Sequence, residues 1–229
     1  MKSILKKAIK DTIPVLSGYI VLGMGFGILM QTKGLGVWLT LAMSTFIYAG
    51  SMQYFAIDLL TSGATLIGTA IATLMVNGRH LFYGISMVDK YKNTGVKKPY
   101  LIFALTDETY SLVCSGNEKL SDSERKRYYF LVSLFNHIYW VLGSAIGALL
   151  GEVIPESATK GIDFALTALF VTVFVEQWKS TKDHLPAIIG VFASVICLVL
   201  FGAEDFLIPA MIAITVALTV LKILRKEGE

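Results

Sequence analysis

Charge is scarce in this 229-residue chain: 16% of its residues are Asp, Glu, Lys or Arg, whereas 55% are hydrophobic. The mean hydropathy is +0.65, far from the balance of a soluble domain. This composition excludes an ordinary soluble globular protein. It predicts instead an integral membrane protein, for which the lipid bilayer is the solvent.

Several patterns that carry chemistry are also missing. No G-x-x-x-x-G-K-[ST] loop is present, so the chain lacks the usual means of hydrolysing ATP. Neither H-E-x-x-H nor G-x-S-x-G occurs, and the arginine spacing of a voltage sensor is absent. The two cysteines, Cys114 and Cys197, lie in apolar runs, where a lone thiol is usually a small hydrophobic group. We therefore expect no enzyme, no cofactor, no metal and no nucleic-acid partner.

Long uncharged runs are what the chain has in place of these motifs. The runs that meet the roughly 20-residue requirement for crossing a bilayer cover residues 12–32, 34–57, 59–78, 128–151 and 184–203. Shorter runs at 164–175 and 206–221 become long enough once their ends tilt or include a polar side chain. The runs are continuous rather than alternating, which favours helices over a β-barrel. They predict an all-α polytopic membrane protein with about seven to eight transmembrane helices in one integral membrane domain, residues 1–229.

The charges between the runs predict the orientation of the chain. Four lysines precede residue 11, and the segments 152–163 and 204–205 are acidic, so we expect a cytoplasmic N-terminus. One loop disagrees, because residues 89–98 carry four lysines yet would lie outside if eight helices crossed. Either this loop is an exception, or the segments before and after it are re-entrant. We expect such an interruption at Asn77-Gly78.

The chain also contains a faint internal similarity. Val21–Gln31 reads VLGMGFGILMQ and Val141–Gly151 reads VLGSAIGALLG, which match at five of eleven positions. Both a true repeat and a chance match between low-complexity membrane segments explain this. A true repeat, covering residues 12–117 and 128–224, would be parallel, with its axis along the membrane normal and the site between the halves.

The acid pair Asp107 and Glu108 is the first candidate site. It lies in the middle of the uncharged stretch from Pro99 to Asn117. A carboxylate in hydrocarbon costs several kcal/mol, so an acid kept there usually faces a cavity or a transport pathway. On a helix the two acids point about 100° apart, so one can face substrate and the other a proton route. The structural alternative is an acid paired with Arg79 or hydrogen-bonded to a tyrosine.

Asn77, Arg79 and His80 form the second candidate site. A glycine break at Gly78 would expose backbone groups, and an arginine can hold a carboxylate through two parallel hydrogen bonds. The alternative is an arginine and a histidine that extend toward lipid headgroups at the membrane surface.

Other polar residues are weaker candidates. Asn136 and His137 lie inside the run 128–151, where a histidine suits a proton relay but is more often a hydrogen-bonding residue between helices. Gln53 lies near the end of its run, where solvation of the helix end explains it adequately.

Glycines recur at small-xxx-small spacing, which permits close helix contact in a bilayer. They are Gly23, Gly27, Gly143, Gly147 and Gly151. Packing is the favoured interpretation, and flexible glycines near a substrate path are the alternative.

Four segments carry a resemblance to a known family. They are PVLSGYIVLGMGFGIL from Pro14, FIYAGSMQYFAIDLL from Phe46, NGRHLFYGISM from Asn77 and LTDETYSL from Leu105. Together they resemble the AzlC family, the large subunits of bacterial branched-chain amino acid exporters. The resemblance covers most of the chain and is densest before residue 115. It implies a bacterial cytoplasmic membrane protein that exports valine, leucine or isoleucine with a small hydrophobic partner of the AzlD type.

The sequence therefore predicts a secondary transporter, coupled to protons, for branched-chain amino acids. Arg79 would receive the substrate carboxylate, and Asp107 or Glu108 its ammonium group. The residues expected in substrate binding or coupling are Gln53, Asn77, Arg79, His80, Asp107, Glu108, Asn136 and His137. A passive channel, or a membrane subunit that is inactive without its partner, is the alternative.

Overall fold

The structure is a computed structural model that describes residues 2–114, 120–154, 164–181 and 183–226. All regular structure in these ranges is helical, which confirms the all-α prediction for the described residues. The helices are α1 (Lys2–Thr32), α2 (Gly36–Phe46), α3 (Gly50–Ser62), α4 (Leu66–Met87), α5 (Lys98–Phe103), α6 (Asp107–Cys114), α7 (Asp122–Val153), α8 (Phe164–Ser180), α9 (Leu185–Asp205) and α10 (Leu207–Lys226), with a 3-10 turn at Gly95–Lys97.

Among the described residues, three helical stretches have both the length and the apolar composition to cross a bilayer: Ser3–Thr32, Asp122–Val153 and Leu185–Gly202. Shorter apolar helices occur at Gly36–Phe46, Leu66–Gly78 and Ile212–Leu221. The number of crossings therefore stays a prediction. The chain divides into two units, residues 1–169 and 170–229, which we describe separately.

The contact between α1 and α7 is the most extensive in the first unit. The two backbones approach so closely that a Cβ atom on Gly23 would lie 2.9 Å from the Ser144 amide nitrogen, and one on Gly143 would lie 2.8 Å from the Tyr19 carbonyl oxygen. No side chain fits at such distances, so the packing interpretation of these glycines is confirmed. The contacts advance in the same order along both helices, which means that α1 and α7 run in the same direction.

The seam between α1 and α7 joins the two segments that match in sequence, but it does not by itself establish a duplication. The two matching segments are 120 residues apart. If the alignment of the two halves is continued with an offset of 124 residues, Gly78 pairs with Gly202. Gly202 interrupts α9 with a φ of 77°, whereas α4 is regular through Gly78. The duplication stays a prediction.

Helices α2 and α3 form a hairpin where we expected one span over residues 34–57. Helix α2 begins directly after α1, where the Leu35 N–H donates to the Met30 carbonyl at 2.9 Å, and it packs back along α1 and α7. The chain then turns at residues 47–49. Helix α3 returns toward the C-terminal end of α1, because Tyr54 donates to the Leu22 carbonyl at 2.6 Å.

Helix α4 runs opposite to α1. Its last residue, Met87, lies in one apolar cluster with Ile4 and Ala8 from the first turns of α1. The helix is continuous through Asn77 and Gly78, so the interruption expected there is wrong. The φ of Gly78 does not lie in the left-handed region. A glycine whose φ lies outside that region is compatible with a helix.

Helices α5 and α6 form a second hairpin. Of the two alternatives that the lysine-rich loop left open for the segment after it, one continuous helix or an interrupted segment, the described residues show the interrupted one. Helix α5 ends at Phe103, and the next residue, Ala104, packs in the cluster around Tyr19. Helix α6 then runs back, since Val113 near its end joins the cluster at the start of α1. The physical reason for the break is a new helix start: the Thr106 hydroxyl accepts from the Thr109 N–H at 3.3 Å, as a capping residue does.

The lysine-rich loop, residues 89–98, lies in space on the same side of the first unit as the starts of α1 and α7. Lys90 donates to the Cys114 carbonyl at the end of α6. The Lys97 ammonium lies 4.7 Å from the centre of the Phe130 ring near the start of α7. The basic residues of this loop and those at the start of α7 therefore share one end of the unit.

In the second unit, α9 and α10 pack against each other. Cys197 and Ala210 are buried there. Most of the apolar surface of α9 is exposed, as expected of a helix that faces lipid.

Substitution of Gly147 by valine tests the seam. A Cβ at this position would overlap the carbonyl group of Met24, so we expect destabilisation of about 2 kcal/mol or more, measured as a lower melting temperature of the purified protein in detergent. Gly18→Ala is the matched control, because nothing lies within 4 Å of its Cβ position. An unchanged melting temperature for Gly147→Val would contradict the close approach of α1 and α7.

Candidate functional site

The turns of the two hairpins meet beside Tyr19 in the middle of α1. The buried Tyr19 hydroxyl is 2.8 Å from the Thr106 hydroxyl in the α5–α6 turn. Tyr48, from the α2–α3 turn, lies beside the same two hydroxyls. The two turns, at Tyr48 and at Thr106, are 58 residues apart in sequence. Together they form one buried polar site, which we call the tip site.

Glu108 is the acidic group of the tip site. Tyr19 donates its hydroxyl proton to Glu108 Oε2 at 2.5 Å. Asp107 and Glu108 occupy the first turn of α6, where unpaired N–H groups and the helix dipole favour negative charge. The position at a helix start therefore suits the negative charge of the two acids. The hydrogen bond to Tyr19 belongs to the structural alternative for this acid, and the Arg79 side chain, the other partner named in that alternative, lies outside the described part of the structure.

Asn136 is joined to the tip site through two threonines. Its side-chain amide donates to Thr109 Oγ1 at 3.0 Å, and the Thr106 hydroxyl donates to the same oxygen at 3.1 Å. Asn136 is fully buried, and its carbonyl oxygen Oδ1 has no hydrogen-bond partner in the described residues.

His137 lies behind Tyr48. Their rings are 4.3 Å apart between centroids, and His137 Nδ1 is 3.2 Å from the Tyr100 hydroxyl. Tyr48 has a φ of 46°, in the left-handed region that non-glycine residues seldom adopt. Its buried hydroxyl has no partner with hydrogen-bond geometry in the described part of the chain. A strained backbone is typical of functional positions.

A cavity of about 470 Å³ opens on the other side of Tyr48. One face of α4 forms a wall of it with Asn77, His80 and Gly84, which recur at the spacing of one helix face. His80 Nδ1 lies 3.2 Å from the Asn77 carbonyl. The structure thus brings Asn77 and His80 to a cavity whose far wall is Tyr48.

The other predicted residues are placed differently. Arg79 lies in α4, but its side chain is outside the described part of the structure. Gln53 is fully buried and bonded within the protein: its Oε1 accepts from the Trp140 indole at 3.0 Å and from the Ala49 N–H at 3.1 Å. These bonds hold the α2–α3 turn on α7.

In the described residues, no group of three or more His, Cys, Asp and Glu side chains lies together as a metal site would require.

Sequence reasoning missed Tyr19 and Tyr48, because tyrosines in apolar runs look like core residues. It also missed the start of a helix at Thr106. The signal was available, since Thr106, Asp107 and Glu108 are a capping residue followed by two acids, which is typical of a helix N-terminus.

Apolar helices with exposed apolar faces, interrupted by two turns that meet at buried polar groups, define the class of this molecule as a helical membrane protein with discontinuous helices. The family model described as AzlC protein matches residues 14–154, more than half of the chain. The chain belongs to the AzlC family.

Individual relatives agree with this assignment. The chain is 44% identical over 217 residues to the branched-chain amino acid transport protein AzlC of Bacillus subtilis (strain 168), covering 95% of this chain and 85% of that protein. It is 43% identical over 213 residues to a membrane protein of Helicobacter pylori, covering 93% and 92%. The inner membrane protein YgaZ of Escherichia coli is 24% identical over 193 residues, covering 81% and 79%. No solved structure matches the chain.

Replacement of Gln53 by leucine separates a structural role from substrate binding. It leaves the Trp140 and Ala49 N–H groups without an acceptor, so we expect a loss of about 1–3 kcal/mol, measured as a lower melting temperature in detergent. Ser62→Ala, at an exposed hydroxyl 3.5 Å from the Leu59 carbonyl on the same helix, should change stability little. A Gln53→Leu protein of unchanged stability that no longer responds to leucine would favour substrate binding instead.

Proposed function

We propose that the protein is a secondary transporter that exports branched-chain amino acids across the bacterial cytoplasmic membrane in exchange for protons. The carrying observation is the tip site, where Glu108 is held by Tyr19 between two helix breaks. Membership of the AzlC family, and the name of the Bacillus subtilis relative as a branched-chain amino acid transport protein, support the substrate class.

Discontinuous helices suit this task. In many transporters the ends of broken helices line the substrate site near the middle of the membrane, where their free backbone groups bind charged parts of the substrate. The tip site has such helix starts at Gly50 of α3 and Asp107 of α6. We assign the substrate ammonium group to Glu108, whose carboxylate already accepts a hydrogen bond there.

Asp107 and Arg79 have secondary assignments in the proposal. Asp107 neighbours Glu108 in the first turn of α6, and we assign it to the proton route. Arg79 is a residue of α4, the helix that also supplies Asn77 and His80 to the cavity. A guanidinium group is suited to a carboxylate, so we assign the substrate carboxylate to Arg79.

The hairpins also support a proposed membrane orientation that agrees with the loop charges. We propose that α1, α4 and α7 cross the bilayer, while the α2–α3 and α5–α6 hairpins enter it from opposite sides. The N-terminus, the lysine-rich loop 89–98 and the basic start of α7 then all lie in the cytoplasm, as the positive-inside rule favours. Irregular backbone at membrane depth is tolerated because the turns are buried in protein.

A small hydrophobic subunit of the AzlD type is the proposed partner, on the basis of family membership. Transport by the protein alone and by the pair should therefore be compared in every assay.

The acid pair is tested by efflux of labelled leucine from proteoliposomes under an imposed pH gradient. Loss of a charge-assisted hydrogen bond costs about 1.5–3 kcal/mol, so we expect Glu108→Gln to lower efflux by about tenfold or more. Glu124→Gln is the control, because this exposed acid only caps α7 and glutamine also serves in a capping box. The mechanism is excluded if Asp107→Asn and Glu108→Gln both leave gradient-driven efflux intact. Rapid flux that neither saturates with leucine nor depends on the gradient would favour a channel.

The proposed orientation is tested by cysteine labelling in intact cells and inside-out vesicles. After replacement of Cys114 and Cys197 by serine, a membrane-impermeant maleimide should label Val96→Cys and Ser123→Cys from the cytoplasmic side only. Val96 is 96% exposed in its loop. Eight crossings would instead place these two positions on opposite sides of the membrane, so labelling of Val96→Cys from outside contradicts the hairpins.

A further inference from the structure

We propose that the cavity beside Tyr48 is the pocket for the aliphatic side chain of the substrate, and that Gly84 sets its depth. This inference rests on the proposed function, because it assigns a specificity site to the same transporter.

The cavity has the size and lining of a small-ligand site. Its volume of about 470 Å³ lies within the roughly 300–1,000 Å³ range of such sites. Apolar side chains dominate its walls, among them Ile47, Leu81, Ile102 and Phe103. These four side chains are 40–62% exposed, so the cavity is open on one side. A branched aliphatic group entering this space would gain about 25 cal/mol for each Å² of apolar surface removed from water.

Tyr48 connects this apolar cavity with the tip site. Its side chain forms part of the cavity wall, and its hydroxyl lies beside those of Tyr19 and Thr106, which are 2.8 Å apart. Leu105, the residue before Thr106, also lines the cavity. Tyr48 and Tyr19 therefore connect the apolar space with the acidic group, an arrangement that fits a molecule with an ammonium group next to an aliphatic side chain.

Gly84 is the position on α4 where the cavity has no side-chain wall. It lines the cavity, and a Cβ atom added there would have no neighbour within 4 Å. Its φ is not in the left-handed region, so any residue is sterically allowed. Glycine inside a helix costs roughly 0.5–1 kcal/mol relative to alanine, and nothing in the helix geometry requires it. A side chain at this position would project into the cavity and reduce its volume.

Gly78 provides a matched control. It lies on the same helix, its Cβ position is equally free of neighbours, and it is not among the residues that line the cavity. Substitution of either glycine removes the same backbone flexibility and adds the same apolar bulk. Only substitution of Gly84 should fill the pocket.

The experiment measures stabilisation of the full-length protein by L-valine, L-leucine and L-isoleucine in detergent, together with efflux of each labelled amino acid from proteoliposomes containing the partner subunit. One methylene in an apolar pocket is worth roughly 10–200-fold in discrimination. We therefore expect Gly84→Leu to weaken the response to leucine and isoleucine by at least about tenfold. Gly84→Ala should weaken the response to isoleucine more than that to valine, and Gly78→Leu should match the wild type.

The outcomes distinguish failure of the proposed transport function from failure of the pocket assignment. If the wild type responds to no aliphatic amino acid in either assay, the proposed function is overturned and the pocket with it. If the wild type responds but Gly84→Leu and Gly78→Leu behave alike, only the pocket is overturned. Should Gly84→Leu fail to fold, Gly84→Ala decides the matter, because an equal loss for valine and isoleucine contradicts a depth-setting role.

Discussion

The close approach of α1 and α7 is the constraint on which the first unit depends. Glycines on both helices let backbone touch backbone, so that a Cβ on Gly23 would lie 2.9 Å from the Ser144 nitrogen. In a bilayer, where apolar surface gains nothing from leaving lipid, such contact is a main source of helix association. It also fixes register: Tyr19 and Asn136, one on each helix, reach the same group of threonines in the α5–α6 hairpin.

Each of the two hairpins contains a helix break whose backbone groups need hydrogen-bond partners. Breaking a helix in a membrane leaves backbone groups without partners, and these must be satisfied inside the protein. At the α2–α3 turn the Gln53 side chain accepts from the Ala49 N–H. At the α5–α6 turn the Thr106 hydroxyl caps α6. The groups that repair each break also anchor it, Gln53 through Trp140 on α7 and Thr106 through Tyr19 on α1. The polar residues of the site thus hold the fold as well.

Composition and spacing predicted the helical membrane class and the glycine packing, because both depend on local physical rules. The acid pair was found for the same reason, since a carboxylate in an apolar run is costly wherever it lies. The breaks were not found, because hydropathy does not distinguish one long apolar helix from two short ones separated by Tyr48 or Leu105. A break was expected at Asn77-Gly78, yet α4 passes through it. Glycine permits a turn but does not impose one, whereas the cap at Thr106 and its partners on α1 and α7 specify one.

Under the proposed mechanism, substrate transport and proton transport are coupled because the substrate ammonium group and the proton compete for Glu108. One carboxylate, already bound by Tyr19, can be neutralised by a substrate ammonium group or by a proton, but not by both at once. A bare carboxylate is the costly state in a low-dielectric site, so each release favours the next binding event. Exchange then requires the tip site to open to one side of the membrane at a time. The two hairpins reach it from opposite ends of α1, and a small movement of either turn would expose Glu108 to one side while the other turn stays closed. Alternating access is in this sense a property of where the helices break.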